Sequence, residues 1–192
     1  MEIAFGQPAV VPALTIAIEN EGDIAARELL LARAMGPKWK KKSSQKLRRG
    51  RRPSEGLSFV ARDAEGRLVG TVRLWDVSMG AGGPAALLLG PLAVDPSLKG
   101  AGVGSALMKH AVAEVERLGH RVILLVGDAA YYARFGFSAQ NTGNLAMPGP
   151  FERERFLALE LAPGAIGAAS GTLKATGRKA RVLTAGTMRR AA

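Results

Sequence analysis

From Val94 to Ser105 the chain reads Val-Asp-Pro-Ser-Leu-Lys-Gly-Ala-Gly-Val-Gly-Ser, with glycines at positions 100, 102 and 104 between two apolar runs. Glycine has no Cβ, so this alternation lets successive backbone N–H groups turn toward one point. If a helix follows, its positive dipole end lies at the same place, worth about 0.3–1 kcal/mol per negative charge near the terminus. The chemistry this predicts is the gripping of an anion, a diphosphate above all. Two other glycine loops fail on spacing. No Gly-Lys-Ser/Thr follows, as a nucleoside-triphosphate loop needs, and Ser105 or Leu107 stands at the third glycine of a dinucleotide fingerprint. Glycines that serve only tight helix packing are the alternative.

Further along, Tyr131 and Tyr132 adjoin in Val126-Gly-Asp-Ala-Ala-Tyr-Tyr-Ala-Arg-Phe-Gly-Phe137. A phenol titrating near ~10 can protonate a leaving group, and neighbours on a helix point ~100° apart, so the two should not face the same atom. Asp128 directly follows an apolar run, where it would either face a cleft as a base or cap the next helix. Asp76 and Glu152 are the other carboxylates considered for a base, because Ala85 to Val94 contains none. His110 falls toward the exposed side of its helix and His120 follows a stop, so neither is expected to be catalytic. With two histidines and no cysteine, a three-histidine zinc site, a thiolate metal site, a disulfide and a cysteine nucleophile are all excluded, and no metal is expected.

The elements that must hold these residues follow from periodicity and punctuation. Thr15 to Ile18 reads as a strand, and Asp23 as the N-cap of a helix to about Met35, stopped at Gly36-Pro37. Leu57 to Arg62 and Leu68 to Val77 are strand-formers joined by Asp63-Ala-Glu-Gly66, a hairpin with Gly66 left-handed. Ala85 to Val94 is apolar throughout, as a strand buried on both faces should be, and its Gly90-Pro91 marks a bulge. Leu107, Ala111, Val112, Val115 and Leu118 fall at helical spacing and predict one buried face, ending at Gly119. Arg121 to Val126 is a second buried strand, followed by a short helix and a last hairpin around 136–161. Strand, helix and strand make a βαβ-like unit in a mixed sheet, so the class is α/β or α+β.

The net charge of +11 on 192 residues is unevenly placed. Residues 38–52 carry nine Lys or Arg and residues 163–192 carry six, neither with an acid; taking both from +11 leaves −4 elsewhere. The expected organisation is one domain over 1–162 with a basic insert at about 37–53, then a basic tail over 163–192. Only Trp39 interleaves the insert, and base-stacking spacing is missing, so nucleic acid is an unlikely partner on sequence grounds. No apolar run approaches the ~18 residues that would cross a bilayer, and no signal peptide is visible, so a cytoplasmic protein with no membrane partner is expected.

The glycine loop resembles the coenzyme A-binding motif of the GNAT-type N-acetyltransferases, Arg/Gln-x-x-Gly-x-Gly/Ala after a strand, with Lys99 where Arg or Gln is usual. The segment Val126 to Phe137 resembles that family's closing signature, a tyrosine four residues before Gly-Phe. The order of elements over about residues 12–161 is similar too. Within the family, the YhbS-like group of predicted acetyltransferases shares the run from Leu87 to Val94, the GDxxYYxRFGF pattern and the segment from Pro148 to Arg155. The resemblance implies a mixed, mostly antiparallel sheet with a splayed central strand pair. Acyl-CoA would pair with backbone at Leu92, Ala93 and Val94, and its diphosphate would rest on Lys99, Gly100, Ala101, Gly102, Val103, Gly104 and Ser105. Tyr132 would be the acid and Asp128 a candidate base.

The function implied is transfer of an acetyl group from acetyl-CoA, a co-substrate, to a primary amine by direct attack in a ternary complex. The acceptor would be a small-molecule or peptide amine, and a homodimer is possible. The reading from another class is a non-catalytic acyl-CoA sensor or an RNA-associated basic accessory protein.

Overall fold

The computed structural model describes residues 13–36, 39 and 42–180. In chain order the elements are β1 (Thr15–Ile18), α1 (Ile24–Met35), α2 (Gln45–Arg48), β2 (Ser58–Arg62), β3 (Leu68–Ser78), β4 (Ala85–Val94), α3 (Val103–Arg117), β5 (Val122–Val126), α4 (Ala129–Ala133), β6 (Leu145–Ala146), β7 (Phe156–Glu160), β8 (Gly171–Thr172) and β9 (Lys174–Ala175). The main sheet runs β1-β2-β3-β4-β5-β7, with β9 on the far end of β3. Every neighbouring pair is antiparallel except β4 and β5, which α3 joins as the expected βαβ unit. Expected and observed classes agree.

The apolar run of β4 is buried on both faces because each face has its own cover. Leu87 and Leu89 lie with Leu74, Ile123 and Leu125 under Leu107, Met108, Ala111 and Val115 of α3. Leu88 faces the other way, with Val77, Val122 and Leu124, under Leu47 of α2 and Ile166 and Leu173 of the C-terminal segment. α1 adds Leu31, which lies with Trp39 against Ala93. Helix α3 comes very close to β3: a Cβ on Gly70 would stand 2.8 Å from Leu107 Cδ1. That contact fixes the height of the helix that follows the glycine loop.

Several sequence expectations change in detail. Asp23 stands at the N-cap of α1 without a side-chain cap bond. Its carboxylate instead closes a capping box with Asn20 over the preceding 3-10 turn and pairs with Arg62. Leu118 is 41% exposed, because α3 has already turned its apolar face away by its last residue. The last hairpin is reduced to one antiparallel bridge, Ser138 with Ala158, since β7 spends its other edge on β5. Residues 163–180 pack on the domain: β8 pairs with β6, β9 with β3, and Arg51 bridges to Lys179.

Candidate active site

Strand β4 delivers the chain to Asp95, whose Oδ1 accepts from Ser97 N at 3.1 Å and Ser97 Oγ at 2.8 Å. Those hydrogen bonds, with Arg33 and Arg67 nearby, hold the Asp95 carboxyl below the usual carboxylate range. The turn so fixed leads into Gly100 and Gly102, both left-handed at φ 88° and 83°, a region L side chains rarely adopt. Gly102 is the N-cap of α3 and has no side chain to occupy the first-turn N–H groups. They are left to an external acceptor, at the positive end of a fifteen-residue helix.

A cavity of about 400 Å³ opens at this turn. Of the ten backbone positions expected to hold cofactor, nine line it: Leu92, Ala93, Val94, Lys99, Gly100, Gly102, Val103, Gly104 and Ser105. Ala101 does not; its side chain packs on the α3 side of the core. Leu98, Tyr131 and Arg134 complete the lining. Lys99 and Arg134 make the wall cationic, and no carboxylate belongs to it. A positive, carboxylate-free cleft at a helix N-terminus fits a diphosphate, as the loop spacing predicts.

The strand edge beside the cavity is open. β4 and β5 pair only at Leu87 with Ile123 and Leu88 with Leu124, although β4 continues to Val94. The cause lies at Gly90-Pro91. Pro91 offers no N–H, and the β3–β4 register breaks there, passing from Leu74 opposite Leu89 to Val72 opposite Leu92. The Gly90-Pro91 peptide is cis, and the Trp75 indole N–H donates to Gly90 O at 2.7 Å. Beyond this kink the β5-facing backbone of Leu92 to Val94 has no strand partner among the described residues, so an extended ligand carrying amides can complete it.

Helix α4 places the two tyrosines at different depths. Asp128 caps it, its Oδ1 accepting from Tyr131 N at 2.7 Å, so the candidate base serves as an N-cap on an exposed position outside the cavity lining. Tyr131 walls the cavity with its hydroxyl at the helix end: a Cβ on Gly104 would stand 2.9 Å from it. The Arg134 guanidinium lies 4.6 Å over the Tyr131 ring. Tyr132 is edge-on to Tyr131, with centroids 4.9 Å apart at 85°, and is not part of the cavity wall. Its ring covers Gly127.

Burial, reinforced by Tyr131, pushes the Tyr132 phenol well above its ordinary value, while the positive fields of Arg48 and Arg155 act the other way. Tyr132 belongs to the α3-side core, whereas Leu47, next to Arg48 on α2, belongs to the opposite one. The tyrosine and the arginine therefore sense each other where the sheet is open.

The other carboxylates are engaged elsewhere. Asp76 accepts from Ser54 Oγ at 2.7 Å, and Glu152 is an exposed partner of Arg155. His110 packs edge-on to Phe59 at 4.7 Å, and neither histidine lines the cavity. Sequence reasoning missed Arg134 in the cavity wall, although its place in the tyrosine segment was the signal.

Comparison with known proteins places this geometry. Among solved structures the fold is similar to that of YhbS of Escherichia coli in complex with CoA, with a TM-score of 0.71 and 26% identity over 90% of this chain and 93% of that one. A GNAT family acetyltransferase from Brucella melitensis in complex with acetyl-CoA matches with a TM-score of 0.65 and 25% identity, over 85% and 96%. The class is thus that of the acetyltransferases. In sequence, residues 54–139 match the acetyltransferase (GNAT) domain. The uncharacterized N-acetyltransferase YhbS of E. coli K12 is 28% identical over 118 residues, 62% of this chain and 71% of that protein. Residues 54–139 thus form a GNAT acetyltransferase domain, with N-acetyltransferase relatives in sequence and in structure.

Among the described residues there is no group of three or more His, Cys, Asp or Glu that could hold a metal, and no helix long and apolar enough to cross a membrane.

Proposed function

We propose that this chain moves an acetyl group from acetyl-CoA to a primary amine by direct attack in a ternary complex. The observation that carries the reading is the limited pairing of β4 with β5, which leaves Leu92 to Val94 open beside a cationic glycine-loop cavity. Acetyl-CoA brings a thioester whose pantetheine amides can pair with that edge and whose diphosphate can lie on the first turn of α3. The neutral amine attacks the thioester carbonyl, an N–H of the Leu92–Ala93 backbone faces the developing oxyanion, and the departing sulfur takes a proton. The amine must lose its own proton; with no carboxylate in the cavity wall, water carries it out.

Tyr132 is the proposed acid. Tyr131 has its hydroxyl at Gly104, the diphosphate end, whereas Tyr132 lies within the field of Arg48 at the open part of the sheet. Its raised pKa keeps the phenol neutral and able to donate throughout the working range. Without cysteine a covalent acetyl-cysteine route is closed. The same absence gives a clean assay, since a thiol reagent reports released CoA with no signal from the protein. Amine-dependent release that falls on Tyr132→Phe is the expected result. Saturable acetyl-CoA binding with no release across a broad amine panel would instead favour a sensor.

A further inference from the structure

Two guanidiniums converge on the β4 kink from different elements, and the one carboxylate whose field reaches Arg73, Glu28, is already paired with Arg27. Arg48, on the last turn of α2, rests its Nη2 against Gly90: a Cβ built there would come within 2.9 Å of it. Arg73 falls in the register break of β3, in the stretch facing Gly90 and Pro91. Its guanidinium lies 5.0 Å over Trp75, the residue whose indole N–H holds Gly90 O. Both side chains keep part of their length at the surface, but both Nε atoms are buried without a hydrogen-bond partner. Among the described residues neither is in an ion pair, whereas Arg27 nearby is matched by Glu19 and Glu28.

Such a pair is costly in the free protein. Burial, and then the field of Arg73, lowers Arg48 from 12.5 to about 9; burial, and then Arg27, lowers Arg73 to about 10. Like charges held in low dielectric are retained where an anion joins them. On the Arg73 side a second cavity opens, of about 590 Å³, in which Arg27, Arg51, Arg52, Arg73 and Arg178 outnumber the carboxylates of Glu19, Glu21 and Glu55; Arg48 lies outside its wall. Gln45, one turn before Arg48 on α2, keeps its Oε1 buried with no donor. Two cations and an acceptor atom beside the β4 kink match an amine that carries its own carboxylate.

We infer that Arg48 and Arg73 form an anion subsite beside the β4 kink, and that the acceptor is an aminocarboxylate whose carboxylate they bind. This rests on the acetyl-transfer reading above and narrows its substrate class. Arg48 lies within electrostatic reach of Tyr132, so a carboxylate held there keeps the attached amine close to the proposed proton donor. Charge-assisted hydrogen bonds are worth about 1.5–3 kcal/mol each, so one contact gives roughly a 10- to 150-fold preference over a neutral isostere.

The test compares amino acids and dipeptides with a free carboxylate against their carboxamides, with rates expressed per neutral amine, and titrates CoA separately by calorimetry. The free acids are expected to exceed their amides at least tenfold in kcat/KM. In Arg48→Gln and Arg73→Gln that ratio is expected to collapse toward one, and Arg48→Lys to restore part of it. A second measurement does not depend on turnover: Arg48→Met, which removes an uncompensated buried cation, is expected to raise Tm, whereas a structural role for Arg48 requires Tm to fall.

Equal rates for acids and amides, with CoA bound and acetyl transferred, overturn the subsite and leave the acetyltransferase reading in place. A preference that follows the acyl group instead, with succinyl-CoA favoured over acetyl-CoA toward neutral amines, also overturns it. CoA binding with no transfer to any amine overturns both.

Discussion

The ring of Tyr132 lies directly on Gly127: a Cβ added at that glycine would meet Tyr132 Cε2 at 2.2 Å and Cδ2 at 2.8 Å. An aromatic ring cannot retreat as the tip of a lysine can. Gly127 follows β5, and its N–H donates to Arg155 O at 2.9 Å, so the backbone beneath the ring is held as well. Gly127→Ala therefore displaces the ring and with it the proposed proton donor. Overpacking of this kind costs about 1–3 kcal/mol, and each kcal/mol lowers Tm by about 2–4 °C in a chain of this size. Thermal melts read the stability loss, and kcat is expected to fall more than KM for acetyl-CoA rises.

Gly104 and Tyr131 should be coupled. A Cβ at 104 meets the Tyr131 hydroxyl oxygen at 2.9 Å, but the ring carbon behind it only at 3.9 Å. Gly104→Ala alone is expected to weaken CoA binding, and the same change in a Tyr131→Phe background to do so less. A double-mutant cycle on CoA affinity measures the difference; a coupling of about 0.5 kcal/mol or more is the expected outcome for residues in contact.

The pH dependence of kcat tests the assignment of Tyr132 as the acid. A phenol ordinarily titrates at 10, and burial moves Tyr132 upward, so its proton is present at every pH below that value. Rates should rise as the acceptor amine deprotonates and then level off, with no basic limb below pH 10. Tyr132→Phe is expected to lower kcat by about 10²- to 10³-fold, within the range of general acid catalysis, with CoA affinity within a factor of about two. A basic limb below pH 10 that disappears in Tyr132→Phe would contradict the assignment.

Truncation after Ala162 tests what holds the second face of the sheet. Ile166 and Leu173 are buried against Val77, Leu88 and Leu124, and β9 extends the sheet along β3. Burying one such side chain is worth about 1.5–3 kcal/mol, so the loss of these two alone is expected to take about 3–6 kcal/mol from a typical stability of about 5–15 kcal/mol. Circular dichroism melts should show a broad, early transition rather than the unchanged Tm of a protein that has lost a loose tail.

What was legible in the sequence is what local patterns determine. The run from Ala85 to Val94, the i, i+3, i+4 spacing from Leu107 to Val115 and the left-handed glycines at 66 and 119 each follow from neighbours within a turn or two. The glycine loop was legible for the same reason. What was not legible depends on partners far apart in the chain. Leu47 is buried inside a segment of nine cations because α2 turns that side chain inward, and Arg48 beside it is half-buried too. The strands β8 and β9 are two residues long and have no period to detect. That Tyr131 lines the cavity while Tyr132 covers Gly127 is set by how α4 is docked, and the Arg48–Arg73 pair exists only once the β3–β4 register breaks.

The most direct test is a calorimetric titration of the full chain with CoA, run beside the same titration of Gly104→Val. Saturable binding at one site per chain, lost or weakened at least tenfold in the variant, is the predicted result, because a branched side chain at 104 fills the space where the first-turn amides meet the ligand. No saturable heat with the wild-type chain, or equal binding by the two proteins, would contradict it.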